Sequence, residues 1–233
     1  SKNNIDYFNS NIINIEKLLW KLKRIEIFSE NLNREKIINF KANSDQLFSI
    51  LKNFELYKLL EKDLSKNKFF RSRFSNVKNF HYLNKYELIV NCDPFNFITT
   101  RYFSKKITKK YNSKAFTTII THDQIENDTA SQIFTKKGPL AFLPISPSET
   151  SVVYSAADKK DINFKDLIKR YNTKYEIIKV NKFLTFELKS SNLRSYFHKN
   201  RGFQSKKAAE KNTSQTRRRR RRKWYARTIK LGN

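Results

Sequence analysis

Glycine is scarce in this chain: three in 233 residues, Gly138, Gly202 and Gly232. A phosphate-cradling G-x-G-x-x-G or Walker loop needs several glycines close together, so nucleotide-binding enzymes of those kinds are excluded for the sequence as it stands. The single cysteine, Cys92, rules out a disulfide framework and a thiolate zinc site and fits a reducing cytoplasm. With no histidine or basic activator beside it in sequence, Cys92 is expected to be an inert buried thiol. The three histidines, His81, His122 and His198, are far apart and show no H-E-x-x-H spacing, so no metal site is expected. No apolar run approaches the ~18–20 residues of a membrane span and no signal-peptide pattern opens the chain, which implies a soluble, cytoplasmic protein. Methionine is absent, position 1 included, which leads to the expectation of a piece of a longer product.

What the chain has in excess is positive charge. Lys+Arg number 49 against 21 Asp+Glu, a formal charge of +28, a balance that points to a polyanionic partner. The charge is unevenly placed. Residues 201–233 hold 13 Lys+Arg and one Glu, and the remainder is spread thinly over a sequence rich in Asn, Lys, Ile and Phe, a composition typical of low-GC coding. Within that tail Arg217, Arg218, Arg219, Arg220, Arg221 and Arg222 run consecutively and are followed by Trp224 and Tyr225. Like charges this dense repel and stay solvated, so 201–233 reads as a disordered basic tail. Its functional alternative is nucleic-acid binding, with arginines on phosphates and Trp224 stacked on a base, as in an RNA- or ribosome-associated protein.

Hydrophobic periodicity organises the rest. Ile5, Phe8, Ile12, Ile15, Leu18, Leu19 and Leu22 recur at three- and four-residue spacing, which predicts a helix or helix pair over 3–23. Ile25–Ile27 and Ile37–Phe40 read as two strands joined by a polar turn, 53–66 as a helix, 86–91 as a strand and 99–103 as a short helix. From residue 115 the pattern is β-rich, with strands over 115–121, 130–135, 140–145 and 151–155, a helix over 163–171 and a last strand over 183–188. Strands and helices do not alternate strictly, so the fold class is α+β with an antiparallel or mixed sheet.

The most specific stretch runs from Phe134 through Gly138-Pro139-Leu140-Ala141-Phe142-Leu143-Pro144-Ile145-Ser146 to Ser151, Val153 and Tyr154. A core hairpin with a tight Gly-Pro turn accounts for these residues on physical grounds alone. The order F-x-x-x-G-P-x-A-x-L-P-I-S, then S-x-V-Y, also resembles the signature of the ubiquinone-biosynthesis hydroxylases of UbiH type, which are FAD-dependent aromatic-ring monooxygenases. The resemblance covers about residues 1–200. It implies a partial FAD-binding, Rossmann-like domain with inserted strands over 1–105 and a substrate-binding β-sheet domain over 106–200.

By the same resemblance Asn53 and Asp93 stand at cofactor-contacting positions, and Phe134, Gly138, Pro139, Ala141 and Phe142 belong to the substrate pocket. Pro94 replaces the family's glycine after the aspartate, removing both conformational freedom and an N–H, and Phe54 replaces a common arginine. The family's N-terminal G-x-G-x-x-G unit and its later Gly-Asp motif have no counterpart in this chain. The implied activity is hydroxylation of a polyprenylated phenol with FAD and NAD(P)H, at the inner membrane surface among other ubiquinone-biosynthesis proteins. The chain alone is expected to bind FAD poorly and to be inactive. No catalytic residue transfers; His122 and Asp123, adjacent on a strand, point to opposite faces and are expected at the surface. A degenerate relative kept as a non-catalytic scaffold is the third reading, resting on Pro94 and Phe54.

Overall fold

The computed structural model describes residues 2–32, 35–43, 46–72, 86–157, 162–198 and the backbone of 201–203. In chain order its elements are α1 (Lys2–Asn11), β1 (Trp20–Leu22), β2 (Arg24–Ser29), β3 (Lys36–Lys41), β4 (Phe48–Ile50), α2 (Asn53–Ser65), β5 (Ile89–Asn91), α3 (Phe97–Tyr102) and β6 (Lys106–His122). They continue with β7 (Thr129–Thr135), β8 (Gly138–Pro144), β9 (Glu149–Ala157), α4 (Phe164–Tyr171), β10 (Ile177–Val180), β11 (Leu184–Leu193), β12 (Phe197–His198) and β13 (Arg201–Phe203). The class is α+β. Two compact units divide the chain, one of residues 1–60 and 110–188, the other of 61–109 and 189–233.

The first unit is built on a mixed sheet in the order β10-β6-β9-β8-β7-β2-β3, with β11 also paired to β6. β7, β8 and β9 form an antiparallel meander, and β9 returns beside β6. β2 joins β7 in parallel, Ile25 opposite Ala130 and Ile27 opposite Gln132, and forms an antiparallel hairpin with β3. Residues 24–41, grouped on sequence with the segment 1–105, thus lie in one sheet with 106–180.

Period-two alternation divides this sheet. Leu140 and Phe142 on β8, Val152 and Tyr154 on β9 and Ile120 on β6 point to one face and are buried. α4 covers them with Phe164, Ile168 and Tyr171, residues at four- and three-residue spacing and so on one side of a helix. Asn163 starts that helix by accepting the Asp166 N–H at 3.3 Å. Each such fully buried apolar side chain contributes about 1.5–3 kcal/mol, so this layer dominates the unit's stability. The Tyr154 hydroxyl is a buried polar atom with no hydrogen-bond partner among the described residues.

Of the helix or helix pair expected over 3–23, the α-helix ends at Asn11, and Trp20–Leu22 is instead a strand, antiparallel to β4. Asparagine side chains explain the break. Asn9 Oδ1 accepts the Ile15 N–H at 2.9 Å and Asn14 Oδ1 the Glu16 N–H at 3.0 Å, so side chains take backbone donors that a continuing helix would need. The apolar spacing was helical, but the polar residues between decided against it.

In the second unit β5, β13 and β12 form a small sheet, β13 parallel to β5 and antiparallel to β12. Ile89 packs with Ile98 and Phe103 beneath α3. Residues 201–203, counted on sequence with the disordered tail, are therefore strand. Cys92, expected to be buried, is exposed; just past β5, it shares the parity of exposed Leu88 rather than of buried Ile89 and Asn91. Arg217, Arg218, Arg219, Arg220, Arg221, Arg222 and Trp224 lie outside the described residues.

Two features are directly testable. Gly138 has φ 145°, and a Cβ there would sit 1.9 Å from the Ser155 carbonyl oxygen. Gly138→Ala is expected to lower stability by about 3 kcal/mol in urea unfolding, through backbone strain and an overpacked strand pair. Glu30 links three segments, its carboxylate accepting from the Tyr171 hydroxyl at 2.6 Å and from the Lys136 N–H at 2.8 Å. These bonds, the Tyr171 one foremost, hold its carboxyl below the ordinary value of 4.5. Tyr171→Phe should cost about 1 kcal/mol at neutral pH. The stabilisation is fully present above the unfolded-state value and is lost as pH falls through the lower folded one, so variant and wild type should converge on acidification. Urea midpoints across the acid range measure it.

Candidate functional site

The face of the large sheet away from α4 is the candidate site. Strand register places its residues in rows. The central row runs Val153, Ala141, Gln132, Ile27 and Ile38 across β9, β8, β7, β2 and β3. On one side of it lie Pro139, Phe134 and Ser29, on the other Leu143, Ala130 and Ile25. Phe134 is 46% exposed and Ile38 40%, whereas Ala130 is 3% exposed. The face is largely apolar, with Ser29, Ser151 and Ser155 among its polar members, open along the Phe134 rim and covered toward Ala130.

Of the residues assigned to a substrate pocket on sequence, Phe134, Pro139 and Ala141 come together on this face. Gly138 forms the strand entry, where it lets β8 approach Ser155. Phe142 does not share the face. One residue from Ala141 on a strand, it turns to the α4 side, is 2% exposed and packs on Tyr175 with ring centroids 6.0 Å apart. Sequence reasoning also passed over Gln132. Its signal was available, since it has the parity of Phe134 while being polar.

At one end of the covered face is a buried polar network centred on Asn127, 1% exposed. Its Nδ2 donates to the Ser146 carbonyl at 2.9 Å and to Thr150 Oγ1 at 3.0 Å, and its Oδ1 accepts from the Tyr175 hydroxyl at 3.1 Å. Trp20 Nε1 donates to the Asn127 carbonyl at 2.8 Å. His122, expected at the surface, is 1% exposed within this network. Its Nδ1 donates to the Asp123 carbonyl at 2.8 Å, and its Nε2 lies 3.0 Å from Thr150 Oγ1. Asp123 itself is exposed, so the pair is no catalytic dyad. Burial pushes the Tyr175 phenol up and keeps it a donor, and burial pushes the neighbouring Lys174 ammonium down. Every member has a partner, so the network acts as a brace.

A cleft of about 650 Å³ lies beside it, lined by Trp20, Lys23, Ile125, Glu126, Asn127 and Pro147 among others. Its charges are paired: Lys23 reaches Glu126 at 3.5 Å and Asp128 at 3.3 Å within the lining, and Lys21 reaches Glu16 at 3.4 Å outside it. Among the described residues no group of three or more His, Cys, Asp or Glu is placed to hold a metal, and no helix is long and apolar enough to cross a membrane.

The two cofactor positions are separate cases. Asn53 opens α2 in the first unit and is exposed. Asp93 lies in the second unit, where its carboxylate accepts the Phe95 N–H at 2.8 Å and its carbonyl accepts from Thr99 Oγ1 at 2.6 Å. Asn91, Asn96 and Thr99 close the same turn on one another. With Pro94 lacking an N–H and the turn's polar groups engaged internally, these residues do not fit a flavin phosphate.

No protein-family model matches the sequence, and no curated protein matches it. Solved structures do. A probable FAD-dependent monooxygenase from Pseudomonas aeruginosa, pqsL, is similar at 12% identity and a TM-score of 0.59, over 79% of this chain and 60% of that one. A flavoprotein/dehydrogenase from Cytophaga hutchinsonii gives 11% and 0.54 over 79% and 54%. The flavin-dependent brominase Bmp2 gives 8% and 0.54 over 86% and 58%. At these identities the likeness is one of fold: the chain has the α+β fold found in FAD-dependent monooxygenases and halogenases. It spans about three fifths of the length of those first structures.

The brace can be broken singly. Asn127→Ala strips partners from Thr150, Tyr175 and the Ser146 carbonyl, and is expected to cost about 2–4 kcal/mol in thermal or urea unfolding.

Proposed function

We propose that this chain forms the substrate-facing sheet, with part of the cofactor domain, of an FAD-dependent, NAD(P)H-using monooxygenase that hydroxylates an aromatic ring in ubiquinone biosynthesis. The observation that carries this reading is the open apolar sheet face. Phe134, Pro139 and Ala141 lie on it together with Leu143 and Val153, all from the stretch that resembles the hydroxylase signature. A flat, apolar shelf one sheet wide suits a phenol bearing a long isoprenoid chain: it desolvates the ring and offers no acid or base of its own. The fold supports the same reading, since FAD-dependent monooxygenases share it. Peripheral contact with the inner membrane and with other enzymes of the pathway follows from so apolar a substrate.

Asn53 and Asp93 do not hold a flavin by themselves, so the chain alone is inactive in this reading, and the residues here contribute substrate binding and water exclusion. The full chain, purified and titrated with 4-hexylphenol by equilibrium dialysis, should bind it and should carry no stoichiometric flavin absorbance. Absence of phenol binding would overturn the substrate-face assignment. Stoichiometric flavin would overturn the reading of Asn53 and Asp93.

A further inference from the structure

Gln132 stands at the centre of that apolar face. Across the strands it is flanked by Ala141 on β8 and Ile27 on β2, and along β7 by Ala130 and Phe134. The residue is half-buried, and its side-chain amide makes no hydrogen bond to another described residue. A primary amide carries two donors and an acceptor; on this half-buried side chain solvent meets them, and a ligand that covers the amide without bonding to it leaves them unpaired at a cost. Ala141 beside it is small and half-buried, and Phe134, 46% exposed, stands on the open side, so a ligand reaches the amide from the Phe134 side and not over buried Ala130.

We propose that the Gln132 amide is the specificity-determining group for the ring hydroxyl, accepting the phenol proton at Oε1 or donating to the phenol oxygen from Nε2. This rests on the substrate-face reading above and sharpens it. None of the residues on the rows around Gln132 is charged. The amide is neutral and no cation lies beside it, so the ring it recognises is a neutral phenol and not a benzoate. A site that hydrogen-bonds a hydroxyl discriminates strongly against the analogue that lacks it, because the amide is then buried unpaired.

The test compares 4-hexylphenol, 4-hexylanisole and 4-hexylbenzoate on the full chain and on Gln132→Leu, with circular dichroism to verify folding. Wild type should bind the phenol about tenfold more tightly than either analogue. Gln132→Leu should lose about tenfold for the phenol while keeping or improving its affinity for the anisole, a split that general loss of structure does not produce. If Gln132→Leu fails to fold, the Gln132 side-chain amide signal in the wild-type NMR spectrum decides: it should shift with phenol and not with anisole. A wild-type chain that binds phenol and anisole equally, a preference that survives Gln132→Leu, or an unmoved amide signal overturns the role of Gln132 and leaves the apolar face standing. Failure of all three ligands to bind wild type sinks both.

Discussion

The register of β8 between β7 and β9 is the constraint on which the rest depends. Alternation along β8 sends Leu140 and Phe142 to the α4 side and Pro139, Ala141 and Leu143 to the open side, so a slip of one residue would exchange core and site. The register is held at both ends. Gly138 allows a backbone approach to Ser155 that no side chain permits, and beyond Pro144 the Ser146 carbonyl is bound by Asn127. Between these two points the meander has one arrangement.

That arrangement gives the sheet two unlike faces. The face under α4 is filled by large apolar side chains and, at its end, by the His122, Asn127, Thr150 and Tyr175 network, whose donors and acceptors match one another. The opposite face has small residues at its middle and larger ones at its rim, and its one amide is free of internal bonds. The polar groups of that network are satisfied within the fold, whereas the Gln132 amide, in the proposed reading, is met by a ligand.

Much of the element pattern was legible. The strands of the meander, α2 and α4 follow from local apolar period and capping, as with Asn163 before Phe164. The pairing of β2 with β7 was not, because a parallel partner about a hundred residues away leaves no local trace. Nor was the broken first helix, where Asn9 and Asn14 outweigh the apolar spacing around them. Of the residues the signature singles out, Phe134, Pro139 and Ala141 share one face of the sheet, whereas Phe142 points to the other, because proximity in sequence hides which way a strand residue points.

The sequence by itself determined the class of fold, the absence of a glycine phosphate loop and the place of the most specific motif, since each is a property of residue type and spacing. Only the tertiary structure decided which side of that motif is core. It moved Phe142 and His122 inward, left Cys92 exposed and brought Ile27 beside Gln132, because faces and partners are set by strand pairing over long separations, which no local pattern encodes.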